Sequence, residues 1–247
     1  RDGERLFRAS INDTLTERKW DYVSIQQVSH FSGMPETYEP FTEFIINYIK
    51  ENCPKAKIVF HRTWAYPDGS THGGFASYNW DRKTMYNAIV NTTNEVAARY
   101  NLPIIPAGDA VEKGRDLPEF DVANGGMSLN RDGFHLTLDY GRYLAGLTLY
   151  KFFTGNDATK VEYEPEDTDP AICSKLKDLA NNPTPGMHGY MPNAGYPDVR
   201  MAVAENLNKR FGTAFTDANI IMTVGAGGSL NVIFKTILNP GDEVLTI

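Results

Sequence analysis

The pattern that most restricts this chain sits between two short β-rich runs. In "TYEPFTEFIINYIKEN", Phe41, Phe44, Ile45, Tyr48 and Ile49 recur at i, i+3, i+4, i+7 and i+8. That spacing predicts an amphipathic helix that buries one face. "WDYVSIQQ" before it carries the apolar run Tyr22, Val23 and Ile25, and "KAKIVFHRTWAY" follows it; both read as strands. Strand, helix, strand in succession argues for parallel pairing, because parallel neighbours need a crossover and a helix is the usual one.

The alternation continues. "NWDRKTMYNAIVNTTNEVAARYN" predicts a long helix with Met85, Ile89 and Val96 on one side. "LPIIPAGDAV" reads as a further short strand. "TLDYGRYLAGLTLYKFFTG" predicts a helix stopped by Gly155. The fold class expected is α/β, a parallel sheet covered on both faces, with ligands at the C-terminal ends of the strands. Beyond Asn156 the character changes. "NDATKVEYEPEDTDP" is acidic and holds Pro165 and Pro170, so it reads as a linker. Further on, "DVRMAVAENLNKRFG" repeats Val199, Val203, Leu207 and Phe211 and ends at Gly212. "NIIMTVG" then reads as a strand, "GGSLNVIFKTIL" as a helix and "NPGDEVLTI" as a turn into a strand.

Composition narrows the function. With 24 Lys and Arg against 31 Asp and Glu, the net charge is −7, and no basic run stands out. Nucleic acid and anionic membrane are therefore not expected as partners. No apolar stretch is long enough to span a bilayer. Cys53 and Cys173 are far apart and have no metal-ligand spacing around them, so neither a disulfide framework nor a metal site is expected.

"NRDGFHL" is the most chemical phrase in the first part. Asp132 precedes His135 by three residues, just ahead of a helix. A hydroxyl is a weak nucleophile at neutral pH and needs a base, and a carboxylate can hold an imidazole in the tautomer that serves as one. The competing reading is a turn and a helix start. Together with "WDYVSIQQVS", "TWAY" and "GRYLAGLTLYKFFTG", this phrase resembles a little-characterised branch of the SGNH (GDSL-type) hydrolases over about residues 1–175. The resemblance implies a three-layer, flavodoxin-like α/β domain with ester-hydrolase activity, on a small-molecule or carbohydrate ester, and without a cofactor. His135 would be the base and Asp132 its orienter. Gln26 would stand where such folds place an oxyanion donor, with a solvated strand-end glutamine as the equal alternative. Trp64 and Tyr66 would line a cleft or pack in the core, and His72 is expected to be a plain loop residue. The family's serine lies in a Gly-Asx-Ser phrase after a first strand. "GERLFRASINDTLTERK" reads instead as helical, so the expectation is a domain incomplete at its N-terminus that has base and orienter without the nucleophile.

"HGYMPNAGYPDVRMAVAENLNKRFG" and "NIIMTVGAGGSLNVIFKTILNPGDEVL" resemble class I/II, fold-type I aminotransferases from about Leu179 to Ile247. Glycines at a strand-to-helix turn leave backbone N–H groups and a helix dipole open to an anion. The resemblance implies pyridoxal phosphate, with its phosphate on the turn of Gly225, Ala226 and Gly227. Tyr190 would reach that phosphate from a neighbouring subunit, which implies a homodimer. In that family the Schiff-base lysine lies beyond the matched segment, and Lys235 does not take its place by motif. The organisation expected is 1–155 hydrolase-like, 156–178 linker and junction, and 179–247 an aminotransferase-like segment, probed as a union of two gene pieces near "SKLKDLANNPTPG". A cytoplasmic home suits the second part, a secreted or periplasmic one the first.

Overall fold

The computed structural model describes residues 10–183 and 194–245. It divides into two compact units, Arg1–Met187 and His188–Ile247, and each is taken by itself.

The first unit is built on a parallel sheet in the order β1 (Tyr22–Ile25), β2 (Lys57–His61), β3 (Ile104–Ile105). β1 and β2 run in register from Tyr22 opposite Lys57 to Ile25 opposite Phe60. Phe60 and His61 then face Ile104 and Ile105 of β3. The two crossovers are helices, as parallel neighbours require. They are α2 (Phe41–Asn52) and α3 (Arg82–Tyr100). A short α1 (Ile11–Thr16) precedes the sheet, started by a Ser10 capping box that satisfies two of the orphan donors at a helix start.

Alternation along the strands sorts the core. Val23, Ile25 and Ile58 pack with Ile46 and Ile49 of α2. Phe60 packs with Tyr38 and with Val96 of α3. Tyr22 points the other way and meets Phe153 edge-on, with ring centroids 4.9 Å apart. Phe153 lies on α5 (Tyr140–Thr154), which packs with α4 (Ala107–Gly114) and α6 (Pro170–Asn181) around Val111, Leu144, Leu147 and Leu176. Helices therefore stand on both faces of the small sheet.

Three expectations are corrected here. The face of α2 is displaced: Phe41 and Phe44 are 71% and 69% exposed, and the inward stripe is Thr42, Ile46 and Ile49. The run "LPIIPAGDAV" gives only two strand residues before α4 begins at Ala107. Residues 156–178 are no simple linker, since Ile172, Cys173 and Leu176 on α6 are buried in the core with Leu144. The acidic composition that suggested a linker belongs to the outer surface and the cap. Asp169 caps α6 by accepting from the Ala171 N–H, with Pro170 in the first turn, where its missing N–H costs nothing. Gly155 ends α5 in the left-handed region at φ 70°, as expected.

The second unit holds α7 (Pro197–Phe211), closed by Gly212 at φ 67°, and α8 (Gly225–Ile237). Residues 220–224 and 242–245 pair with no strand among the described residues. A strand needs a ladder of a partner's hydrogen bonds, and among the described residues the first run has only one such backbone bond, from the Met222 N–H to the Ala194 carbonyl at 2.9 Å. Ala204 is buried on α7, while Val199 and Phe211 are 42% and 63% exposed, so the expected four-residue stripe is only partly used.

Candidate active site

Residues 129–137 form a tight loop pinned at its base. Asn130 and Leu136 make an antiparallel bridge, and the Arg131 N–H donates to the His135 carbonyl at 2.9 Å. Gly133 turns the loop at φ 84°, a conformation that suits glycine. Within it, the His135 backbone N–H donates to Asp132 Oδ1 at 2.7 Å, and His135 Nδ1 lies 2.8 Å from Asp132 Oδ2. The Phe134 N–H is a third neighbour of the carboxylate, at 3.3 Å. Burial works to raise the Asp132 carboxyl, but the hydrogen bonds from His135 and Phe134 outweigh it and hold the group at about 2. An ionised carboxylate on Nδ1 leaves Nε2 as the free, basic nitrogen. Among the described residues no hydroxyl is hydrogen-bonded to that nitrogen. The His135 side chain is 53% exposed.

The loop is also held from behind. The carbonyl of Phe134 accepts from Trp64 Nε1 at 2.7 Å and from Asn130 Nδ2 at 3.1 Å. Asn130 Oδ1 in turn accepts from Arg115 Nη2 at 2.9 Å, and the same Nη2 donates to the Ala65 carbonyl at 2.8 Å. Arg115 is paired with Glu112 at 3.0 Å. Burial lowers the Arg115 guanidinium to about 10, opposed by Glu112. Burial likewise opposes ionisation of Glu112, yet Lys83, Arg115 and Arg82 together keep it below the usual carboxylate range. A second buried pair braces the same helix. Arg62 Nη1 donates to both oxygens of Asp109, at 2.9 and 2.7 Å, and the Tyr86 hydroxyl donates to Asp109 at 2.7 Å.

Gln26 lies exposed at the end of β1. It lines a cleft of about 180 Å³ with Gln27, Thr37 and Tyr38, and has no hydrogen bond to Asp132 or His135 among the described residues. Trp64 is half-buried and serves the loop through its indole N–H. Tyr66 is fully buried, its hydroxyl 2.8 Å from Ser29 Oγ, and burial raises its pKa. His72 caps a short turn, with Nδ1 accepting from the Gly74 N–H at 3.1 Å, and its ring faces Tyr66 and Phe134. Asn130, Arg115 and Asp109 were not singled out by sequence. The signals available were a polar residue directly ahead of "RDGFH" and carboxylates set inside the apolar run "PAGDAVEKGR".

In the second unit, Gly225 opens α8 at φ 68°. Val224 offers no side-chain cap to the first-turn N–H groups, and a Cβ on Gly227 would meet nothing within 4 Å. Tyr190 lies outside the described residues. Among the described residues no group of three or more His, Cys, Asp or Glu is placed to hold a metal ion. No helix among them is long and apolar enough to cross a membrane.

The first unit is thus an α/β unit whose Asp–His loop is bonded to Trp64, just past the end of β2. The chain belongs to the family described as "Domain of unknown function (DUF4886)", whose model matches residues 4–184. The crystal structure of a DUF4886 family protein from Bacteroides uniformis is similar, with 34% identity and a TM-score of 0.65. The match covers 70% of this chain and 65% of that one. Residues 160–247 match the model for aminotransferase class I and II. A probable aspartate/prephenate aminotransferase of Thermus aquaticus is 42% identical over 62 residues, which is 25% of this chain and 16% of that protein. A probable N-acetyl-LL-diaminopimelate aminotransferase of Bacillus subtilis is 42% identical over 57 residues, or 23% of this chain and 14% of that protein. The chain thus spans a small share of the aminotransferases it matches.

Proposed function

We propose that the first unit carries the acid–base half of an ester-hydrolase site of SGNH type. His135 Nε2 takes the proton of a hydroxyl nucleophile and returns it to the leaving alcohol. Asp132 holds the ring and stabilises its protonated form. The observation that carries this reading is the double contact of His135 with Asp132 on a loop whose peptide is clamped by Trp64 and Asn130. Gln26 is assigned an oxyanion-donor role in the same reading, on acyl esters of small or carbohydrate alcohols. The test is hydrolysis of p-nitrophenyl acetate across pH by a protein in which a Gly-Asx-Ser segment precedes these residues. His135→Ala should lower the rate by about 10²–10⁴-fold with the circular dichroism spectrum unchanged. Full activity in that variant sinks the reading.

A second reading is favoured by the open first turn of α8. The amides of Ala226 and Gly227 suit the phosphate of pyridoxal phosphate, which when bound supplies an electron sink for amino-group transfer. Lys235 stands in the last turn of α8, about 15 Å along the axis from Gly225 at the helical rise. It is therefore not the lysine that would hold the cofactor at the turn. A continuous read of the coding DNA on both sides of these residues tests the two readings together. A Gly-Asx-Ser segment before and a lysine-bearing segment after would make the chain part of a two-enzyme fusion. Separate loci for the halves would overturn the fusion.

A further inference from the structure

A cavity of about 410 Å³ lies against the back of the Asp132–His135 loop, with Gly133 and Asn130 in its wall. That volume is in the range of small-ligand sites. Its deep wall is polar: Ser70 and Asn130 are each 6% exposed, and the Arg115 side chain is 7% exposed.

The unspent hydrogen-bonding capacity is what defines the ligand. Ser70 Oγ accepts from the His72 N–H, and Ser128 Oγ accepts from the Asn130 N–H. Each hydroxyl proton is therefore still available to donate. Arg82 spends Nε on Asp68 and Nη1 on Glu112, which leaves Nη2 without a hydrogen bond among the described residues. Asp68 uses Oδ2 for Arg82, and Asp121 uses Oδ2 for Asn124. The other oxygen of each has no hydrogen bond among the described residues. Residues with a spare donor and residues with a spare acceptor thus line the same cavity. A carboxylate or phosphate only accepts and an ammonium only donates, whereas a hydroxyl does both at one atom.

Charge excludes an anion trap. Arg82 and Arg115 in the lining, with Lys83 beside them, are balanced in number by Asp68, Asp121 and Glu112, and Glu112 pairs with all three cations. A set of equal positive and negative charges offers no net attraction to a further charge. Phe120 and Val122 add an apolar patch to the wall, which suits the C–H face of a ring that carries hydroxyls at its rim.

We propose that this cavity binds an uncharged polyhydroxylated group, a sugar or polyol, as the alcohol portion of the ester. The role given to that group rests on the hydrolase reading, but its binding does not.

The test is titration of the protein with a panel of methyl glycosides and glycerol, and separately with glycolate, followed by ¹H–¹⁵N NMR. The expected result is saturable shifts at the amides of Gly69, Ser128 and Gly133 with at least one neutral polyol, and none with glycolate. Val122 is 56% exposed, so Val122→Trp fills the mouth without touching the polar wall. It should raise the apparent Kd by at least about tenfold. Three results would each overturn the proposal: no saturable shift with any polyol, a stronger response to glycolate, or unchanged affinity in Val122→Trp. Binding without ester hydrolysis, in a protein that carries the Gly-Asx-Ser segment, would remove the hydrolase reading and leave this site. Hydrolysis without binding would do the reverse.

Discussion

Asp132 receives both the backbone N–H and the ring nitrogen of His135, one on each oxygen, at 2.7 and 2.8 Å. A contact made twice fixes the plane of the imidazole as well as its distance. It also ties the state of the carboxyl to the histidine beside it.

The first prediction concerns that carboxyl. Its pKa is held at about 2, below the ordinary 3.8. A depressed acid stabilises the fold when ionised, so its contribution is fully present above pH 3.8 and is lost as the pH falls through about 2. In His135→Ala the ring contact goes, while the N–H groups of residues 134 and 135 remain. The Asp132 carboxyl should then rise only part of the way to its ordinary value. A ¹³C titration of its Cγ reads this directly. A value unchanged from the parent would show that the ring contributes nothing.

A second prediction follows from the buried pair Arg62 and Asp109, whose side chains are 6% and 1% exposed. Asp109→Ala leaves the buried guanidinium without a counter-charge, though still bonded to Thr93 and Asn94, and leaves the Tyr86 hydroxyl without its acceptor. Breaking a buried pair from one side costs about 3–5 kcal/mol. Urea unfolding of the first unit should show a loss of that size, and a loss of less than about 1 kcal/mol, the scale of an exposed pair, would contradict the structure.

The Phe134 carbonyl gives a third, because it has two donors. Removing either Trp64 Nε1, by Trp64→Phe, or Asn130 Nδ2, by Asn130→Ala, leaves it bonded to the other. Trp64→Phe should cost about 0.5–1.5 kcal/mol for its hydrogen bond, and Asn130→Ala more, because it also removes the Oδ1 acceptor of Arg115 Nη2. The double variant should lose more than the sum, because only then is the carbonyl unsatisfied, and the coupling should fall in the range of about 0.5–3 kcal/mol. Strict additivity in a double-mutant cycle would mean that the two donors do not share an acceptor.

Glycine to alanine should act in opposite directions on two helices. A Cβ on Gly108 of α4 would lie 2.1 Å from the Thr63 carbonyl oxygen, which is backbone and cannot swing aside. Overpacking of this kind costs about 1–3 kcal/mol or more. A Cβ on Gly146 of α5 meets nothing within 4 Å, so Gly146→Ala should stabilise by about 0.5–1 kcal/mol through helix propensity. Thermal melts of the two variants that shifted in the same direction would refute the account.

Local periodicity carried much of the fold. The helices over 82–100 and 140–154 and the left-handed stop at Gly155 follow from patterns within a few turns. The inward face of α2 did not follow, because Phe41 and Thr42 begin adjacent rows of a helix and the sheet decides which row turns in. That decision is non-local. The Asp132–His135 contact was legible because four residues of one loop contain it. The clamp behind it was not: Arg115 reaches the Ala65 carbonyl fifty positions away in sequence, and no spacing rule relates them. The runs at 220–224 and 242–245 have strand composition, but a strand is made by its neighbour.

Both family models cover residues 160–184, yet α6 buries Leu176 and Leu179 beside Leu144 and Leu147. A helix has one apolar side and can complete only one interior. Anyone separating the halves for expression should therefore cut after α6. A cut at 155, where the acidic stretch invites one, would strip a wall from the first half and leave an oily, self-associating surface in its place.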